Sequence, residues 1–226
     1  MDFVDFHAHI LPHVDHGSFS TETTIAQLEF AVSAGVKRIV ATPHFYPHEE
    51  NPEHFVERRN AYYKRLLERI PDNSPDIKLG AEVLICDNIE EMPMLEQLCV
   101  AGTKVLLLEL PFTDFSDAYV HSVRTLVNQG YTVILAHADR YDPKNIDRLL
   151  EIGAKVQLNA SALSGLFISK HVKSWLNNDK VYALGSDIHG ADKKAYVRFS
   201  KAVKRLGERA LLINEYSNAI WQKAEK

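Results

Sequence analysis

Apolar residues along this chain fall into short aliphatic, β-branched-rich runs, separated by longer stretches in which apolar positions recur every three to four residues. The short runs predict seven strands, over residues 3–6, 38–41, 77–85, 104–110, 132–136, 155–158 and 181–184. The longer stretches predict helices. One covers 22–34, with Thr21 as cap and Gly35 as stop; a second covers 53–70 and ends before Pro71; a third covers 89–100 and ends before Gly102. Two more cover 117–128, with Gly130 beyond, and 143–151, opened by Pro143 and followed by Gly153. No helix is assigned beyond residue 151. No repeat, low-complexity tract or linker-like run interrupts the pattern, so residues 1–226 read as one domain.

Strands alternating with helices through the chain imply a mainly parallel sheet covered by helices, either open or closed into a barrel. The polar residues choose the barrel. His7 and His9 follow the first strand, His44 follows the second and Glu82 lies in the third. Glu109 ends the fourth, His137 follows the fifth, and Asp187 and His189 follow the seventh. An open sheet collects its functional residues at one switch point, whereas a barrel gathers them from many strand ends around one mouth.

Composition narrows the chemistry. The 26 basic and 30 acidic residues leave a net charge of -4, which supplies no general field for nucleic acid and disfavours a nuclease. Cys86 and Cys99 have no CxxC spacing and read as small buried hydrophobes in a reducing compartment. Residues 1–7 lack the basic start and apolar run of a signal peptide, and no later apolar run reaches membrane-spanning length. A cytoplasmic protein with no membrane insertion is the expectation. Eleven histidines, several beside strands, raise a metal hypothesis.

His7 and His9 alternate along an extended segment, so both imidazoles project to one side and can share an ion. Asp15 follows in the next loop, where a plain turn residue beside Gly17 is the bland alternative. Glu82 and Glu109 place carboxylates in aliphatic runs, where an unpaired charge is costly, and the other strand ends supply few cations to pair with them. Imidazole and carboxylate donors without thiolate suit Mn, Fe or Zn better than Ca or Mg. The donors outnumber what one ion uses, so a multinuclear centre follows, with Glu82 available as a bridge. Arg140, just past the fifth strand, is placed to reach the same mouth; its alternative is a surface pair with Asp139 or Asp142.

Taken together, His7-Ala8-His9-Ile10-Leu11-Pro12-His13-Val14-Asp15-His16-Gly17, Ala41-Thr42-Pro43-His44, Gly80-Ala81-Glu82, Leu108-Glu109-Leu110-Pro111, His137 with Arg140, and Ser186-Asp187-Ile188-His189 resemble the PHP phosphoesterase superfamily. Within it, the first-loop motif is similar to that of the bacterial protein-tyrosine phosphatases of capsule and exopolysaccharide loci, the CpsB type. The resemblance implies a distorted seven-stranded (β/α)7 barrel holding two or three divalent ions, Mn first among them, with Fe or Zn as alternatives. The implied ligands are His7, His9, Asp15, His44, Glu82, Glu109, His137, Asp187 and His189. The implied substrate is phosphotyrosine on a protein, the tail of a bacterial tyrosine kinase; Arg140 is placed to clamp its phosphate, and Asp139 or a first-loop histidine is the candidate donor of a proton to the leaving group. A small-molecule phosphatase acting on histidinol phosphate or a sugar phosphate is the rival within enzymes, and a non-catalytic metal-binding module the rival outside them.

Two departures from the family pattern stand out. His13 and His16 occupy first-loop positions where the family commonly has glycine and aspartate, and both read as surface residues. After Ser186-Asp187-Ile188-His189, where the family tends to have asparagine and then arginine, this chain has Gly190 and then Lys193 and Lys194, which can attract phosphate only as point charges. His48, His54, His121 and His171 read as solvated.

Overall fold

The computed structural model describes residues 2–112 and 115–223. Its strands are β1 (Phe3–Ala8), β2 (Val36–Ala41), β3 (His44–Phe45), β4 (Asp76–Leu79), β5 (Glu82–Leu84), β6 (Val105–Glu109), β7 (Thr132–Leu135), β8 (Lys155–Asn159) and β9 (Val181–Gly185). They pair in parallel in two sheets, ordered β1-β2-β4 and β3-β5-β6-β7-β8-β9.

The two sheets are continuous through the chain. Only Thr42 and Pro43 separate β2 from β3, and only Gly80 and Ala81 separate β4 from β5. Pro43 has no N–H to continue a ladder. At Gly80 a Cβ would meet Val40 Cγ1 at 3.2 Å, and its carbonyl accepts from Nη1 of the buried Arg59 at 2.8 Å. The single strand expected over 77–85 is therefore two short strands in different sheets, with Gly80 and Ala81 between them, where Gly80 N donates to Ala41 O at 2.9 Å and Glu82 N to Pro43 O at 3.0 Å. Among the described residues the strands number seven counted as passes of the chain, and nine counted as hydrogen-bonded segments. At the other edge Asp187 N donates to His7 O at 2.8 Å and His9 N to Ile188 O at 3.3 Å, joining the segment after β9 to the end of β1. The result is an α/β fold of parallel strands with barrel-like closure.

Helix α1 (Thr21–Ser33) is capped by Ser20, not by Thr21: Ser20 Oγ accepts from Thr23 N–H at 3.2 Å. Asn51 caps α2 (Pro52–Leu67), which stops three residues short of its expected end. The helix expected over 89–100 reduces to a 3-10 turn at Ile89–Glu91 and a short α3 (Leu95–Leu98). Pro93 lies between them, and Asn88 and Met94 adopt left-handed φ of 58° and 60°. Helices α4 (Asp117–Asn128) and α5 (Pro143–Glu151) form as expected. Beyond them α6 (Ala160–Ser164), α7 (Lys170–Asn177), α8 (Lys193–Leu206) and α9 (Glu208–Lys223) complete the fold. No helix among the described residues is long and apolar enough to cross a membrane.

Val4, Phe6, Val40, Leu107, Ile134 and Ala183 come from both sheets and form one apolar cluster, sealed by Ile220 and Trp221 of α9. A larger cluster packs the strands against the helices through residues such as Leu28, Phe55, Leu126, Leu149 and Phe199. With apolar packing on both sides of the strands, the polar side chains at their C-terminal ends are forced into one mouth.

Candidate metal centre

Local backbone devices aim the first two histidines. His7 lies inside β1, not after it, at a point where pairing with β2 shifts register between Asp5 and Ala8. Its N–H donates to Asp5 Oδ1 at 3.2 Å, and the same oxygen accepts from Ser186 N at 2.9 Å. Gly185 makes room for the ring, since a Cβ there would fall 2.5 Å from His7 Cβ. Gly17 does the same for His9, whose Cβ would stand 2.0 Å from an added methyl. His137 and Asp187 reach the site from left-handed backbone, with φ of 30° and 52°, a conformation costly for residues with a Cβ.

Eight of the nine expected donors converge. Glu82 is fully buried at the centre, its Oε2 at 3.1 Å from His7 Nε2, 3.3 Å from His9 Nε2 and 3.0 Å from His44 Nδ1, and its Oε1 at 2.7 Å from His137 Nε2. Glu109 approaches His44 at 3.7 Å and His137 at 3.5 Å. Asp187 Oδ1 lies 3.7, 3.5 and 3.6 Å from His7, His9 and His189. Asp15 stands behind His9: Oδ2 contacts His9 Nδ1 at 2.7 Å and accepts from His44 N at 3.0 Å, while Oδ1 accepts from Gly17 N at 2.8 Å.

These donors fit a metal better than they fit one another. Both Glu82 oxygens, His44 Nδ1, Glu109 Oε2 and His189 Nε2 are buried with no hydrogen-bond partner, although ring nitrogens and carboxylates are within contact distance. The groups face one space rather than each other. Among the described residues, three overlapping triads have the spacing to hold an ion: His7, His9 and Glu82; His44, Glu82 and Glu109; His9, His44 and His189.

Residues outside the expected set orient it. Gln157 Oε1 accepts from His137 N–H at 2.6 Å, which fixes the amide, and the same oxygen lies 3.0 Å from His7 Nδ1. His7 therefore carries its proton on Nδ1. Gln157 Nε2 donates to Asn159 Oδ1 at 2.9 Å, and Asn159 Nδ2 donates to Asp187 Oδ2 at 2.8 Å. Gln27 of α1 donates to the carbonyls of His9, Gly17 and Gly190, tying both histidine loops together. Gln157 and Asn159 alternate with Val156 and Leu158 along β8, the one sequence signal that two neutral amides share a face.

Among these side chains burial disfavours every charge, yet the pairing wins at most positions. Burial opposes ionisation of Asp15, but His9 and the N–H groups of Gly17 and His44 hold its carboxyl well below the usual range. Glu82 and Asp187 are likewise held low against burial by the histidines around them. His44 and His137 lose ground to burial but are raised by Glu109 and Glu82 to about 9. Burial and the neighbouring His9 push His189 down to about 4.

The remaining expected residues divide. Arg140 Nη2 donates to Asp187 Oδ2 at 2.6 Å, so its partner is a carboxylate of the site and not Asp139 or Asp142. Asp139 is mostly buried, and its Oδ1 accepts from Asn159 N–H at 3.1 Å. Lys193 and Lys194 are exposed at the start of α8; Lys193 lines a crevice with Phe30, Ala34 and Tyr196 that none of the donors lines. His13 and His16 are exposed, as expected, yet the His16 ring stacks on His44 and His189 at centroid separations of 5.0 and 4.7 Å.

A family model for capsular polysaccharide synthesis proteins, CpsB/CapC, matches residues 3–222. Tyrosine-protein phosphatase YwqE of Bacillus subtilis is 27% identical over 206 residues, covering 85% of this chain and 80% of that protein. Tyrosine-protein phosphatase CpsB of Streptococcus pneumoniae is 26% identical over 207 residues, covering 84% of each. A crystal structure from work on these two proteins, described as unique metal-dependent tyrosine phosphatases, superposes with a TM-score of 0.80 at 24% identity, over 97% of this chain and 94% of that one. A match across nearly the whole chain, with the histidine and carboxylate motifs gathered in one mouth, makes this chain a member of the CpsB/CapC family of capsular polysaccharide synthesis.

Proposed function

We propose that the chain is a metal-dependent phosphatase that hydrolyses phosphotyrosine on proteins, acting in the cytoplasm as one unit over residues 1–226. Its proposed partner is the tail of a bacterial tyrosine kinase that governs capsule or exopolysaccharide synthesis. One observation supports the metal most directly. With His7 Nδ1 tied to Gln157 and His9 Nδ1 tied to Asp15, the two Nε2 atoms face each other 3.0 Å apart above Glu82. Two imidazole nitrogens and a carboxylate pointing into one space suit a shared cation.

The proposed donors are His7, His9, His44, Glu82, Glu109, His137, Asp187 and His189, with Asp15 beside His9. Overlap of the triads at Glu82, His9 and His44 supports two or three ions, and the thiolate-free set suits Mn, with Fe or Zn as alternatives. Divalent ions held there supply Lewis acidity toward the phosphoryl oxygens and the attacking water. The chain's own groups do the rest. Arg140 keeps one N–H on Asp187 and has others free to grip phosphoryl oxygens. Burial raises the Asp139 carboxyl above its ordinary value, which favours the protonated form that a donor to the leaving oxygen needs. Lys193 and Lys194 add only screened positive charge for a phosphorylated tail.

The names of the relatives support tyrosine as the leaving group. Removing metal with a chelator should abolish hydrolysis of a phosphotyrosyl peptide, Mn should restore it, and elemental analysis should find more than one ion per chain. Full activity with one ion or none overturns the proposal.

A further inference from the structure

We propose that Phe112, braced by Tyr141, is an aromatic shelf that seats the phenyl ring of the substrate, so that this site selects aryl over alkyl phosphates. The inference rests on the phosphatase reading above and adds to it the residue that recognises the ring.

Phe112 lies three residues past Glu109, so the strand end that delivers a donor carboxylate also delivers this ring to the mouth. The Phe112 ring lies nearly parallel to that of His137, at 6.3 Å and 12°, and stacks on Tyr141 at 5.4 Å and 29°. Tyr141 in turn packs beside His137 at 5.5 Å. One side of Phe112 is thus held in place, yet the residue is 70% exposed. A phenylalanine left open to water at the edge of a polar site gains little for the fold, and is suited to gain contact from a ligand.

Charge complementarity identifies that ligand. Arg140 lines the same crevice as Phe112, Tyr141, Pro111 and Phe115, and Arg140 is the cation joined to Asp187 at the metal centre. A phosphate monoester with its phosphoryl group at Arg140 therefore brings its organic part against Phe112. A phenyl ring can stack there at the separations aromatic pairs favour, whereas a serine or alkyl chain leaves the shelf wet.

The test compares two non-hydrolysable probes, phenylphosphonate and methylphosphonate, as inhibitors of the metal-loaded full chain and its Phe112→Ala and Phe112→Tyr variants. The wild type should bind phenylphosphonate more tightly than methylphosphonate. Phe112→Ala should cut that preference about three- to tenfold, the range expected of one aromatic pair. Methylphosphonate binding and metal content should stay unchanged, and Phe112→Tyr should keep the preference. A Phe112→Ala variant that retains the full preference, or loses affinity for both probes equally, overturns the shelf. A wild type that binds neither probe and cleaves no phosphate ester overturns the phosphatase reading and the shelf with it.

Discussion

His7 and Gln157 are locked together, His7 Nδ1 standing 3.0 Å from Gln157 Oε1, so the His7 Nε2 lone pair is aimed at Glu82 before any ion arrives. A neutral amide on β8, a strand of the other sheet, thus decides the tautomer of a proposed ligand. Gln157→Ala should weaken metal affinity by about 10- to 100-fold, the usual cost of losing such support. Titration of the metal-free variant by calorimetry checks this; unchanged affinity would show that His7 holds its orientation without Gln157.

Glu82 touches four histidines and belongs to two of the three triads, whereas His13 is exposed. Glu82→Gln should lower metal content and reduce kcat/KM by roughly 100-fold or more, as expected when charge stabilisation is lost in a water-excluded site. His13→Ala should do neither. Equal losses would mean that the first loop does more than carry Asp15.

Arg140→Ala should weaken inhibition by inorganic phosphate and raise KM by about tenfold, the scale of one charge-assisted contact, while leaving metal content alone. Arg140→Lys should recover only part of the loss, because an ammonium cannot grip two oxygens at fixed geometry. Collapse of metal occupancy in Arg140→Ala would make the contact to Asp187 structural.

Protonation of His44 and His137, two of the proposed donors, should compete with metal. In the metal-free protein both are held at about 9 against an ordinary 6.5, so between those values the folded chain binds more protons than the unfolded chain. Their contribution to stability is complete below pH 6.5 and is lost as the pH rises through about 9. The unfolding midpoint of the metal-free protein should therefore fall across that window, and metal uptake at neutral pH should release protons into a weakly buffered solution. Uptake without proton release would contradict the donor assignment.

The proposed donors are legible in the sequence because a carboxylate or imidazole at the end of an aliphatic strand is costly to bury unless a cation meets it. His7, His44, Glu82, Glu109, His137 and Asp187 gather in one mouth through contacts that link each to another of the set, as the alternation of strand and helix implies. What supports them is not legible. Gln157 and Asn159 look like the polar half of an ordinary half-buried strand, and only the pairing of β8 between β7 and β9 turns them inward. The break in the third strand falls at Gly80, whose carbonyl is held by Arg59 of α2, a contact that no local pattern records. Pro93 is a visible obstacle to a helix over 89–100, and it outweighs the apolar periodicity there because a helix interior cannot supply its missing N–H. The contact of Arg140 with Asp187 spans 47 positions and follows from the closure of the fold alone.

The measurement that bears most directly on the proposed activity is kcat/KM for a phosphotyrosyl peptide, a phosphoseryl peptide of the same sequence and histidinol phosphate, on one preparation with one metal loading. A phosphotyrosine phosphatase should favour the phosphotyrosyl peptide over both competitors, by about tenfold or more, and lose activity on all three when the metal is removed. A tenfold preference for histidinol phosphate would leave the metal centre standing and contradict the assignment of phosphotyrosine as its substrate.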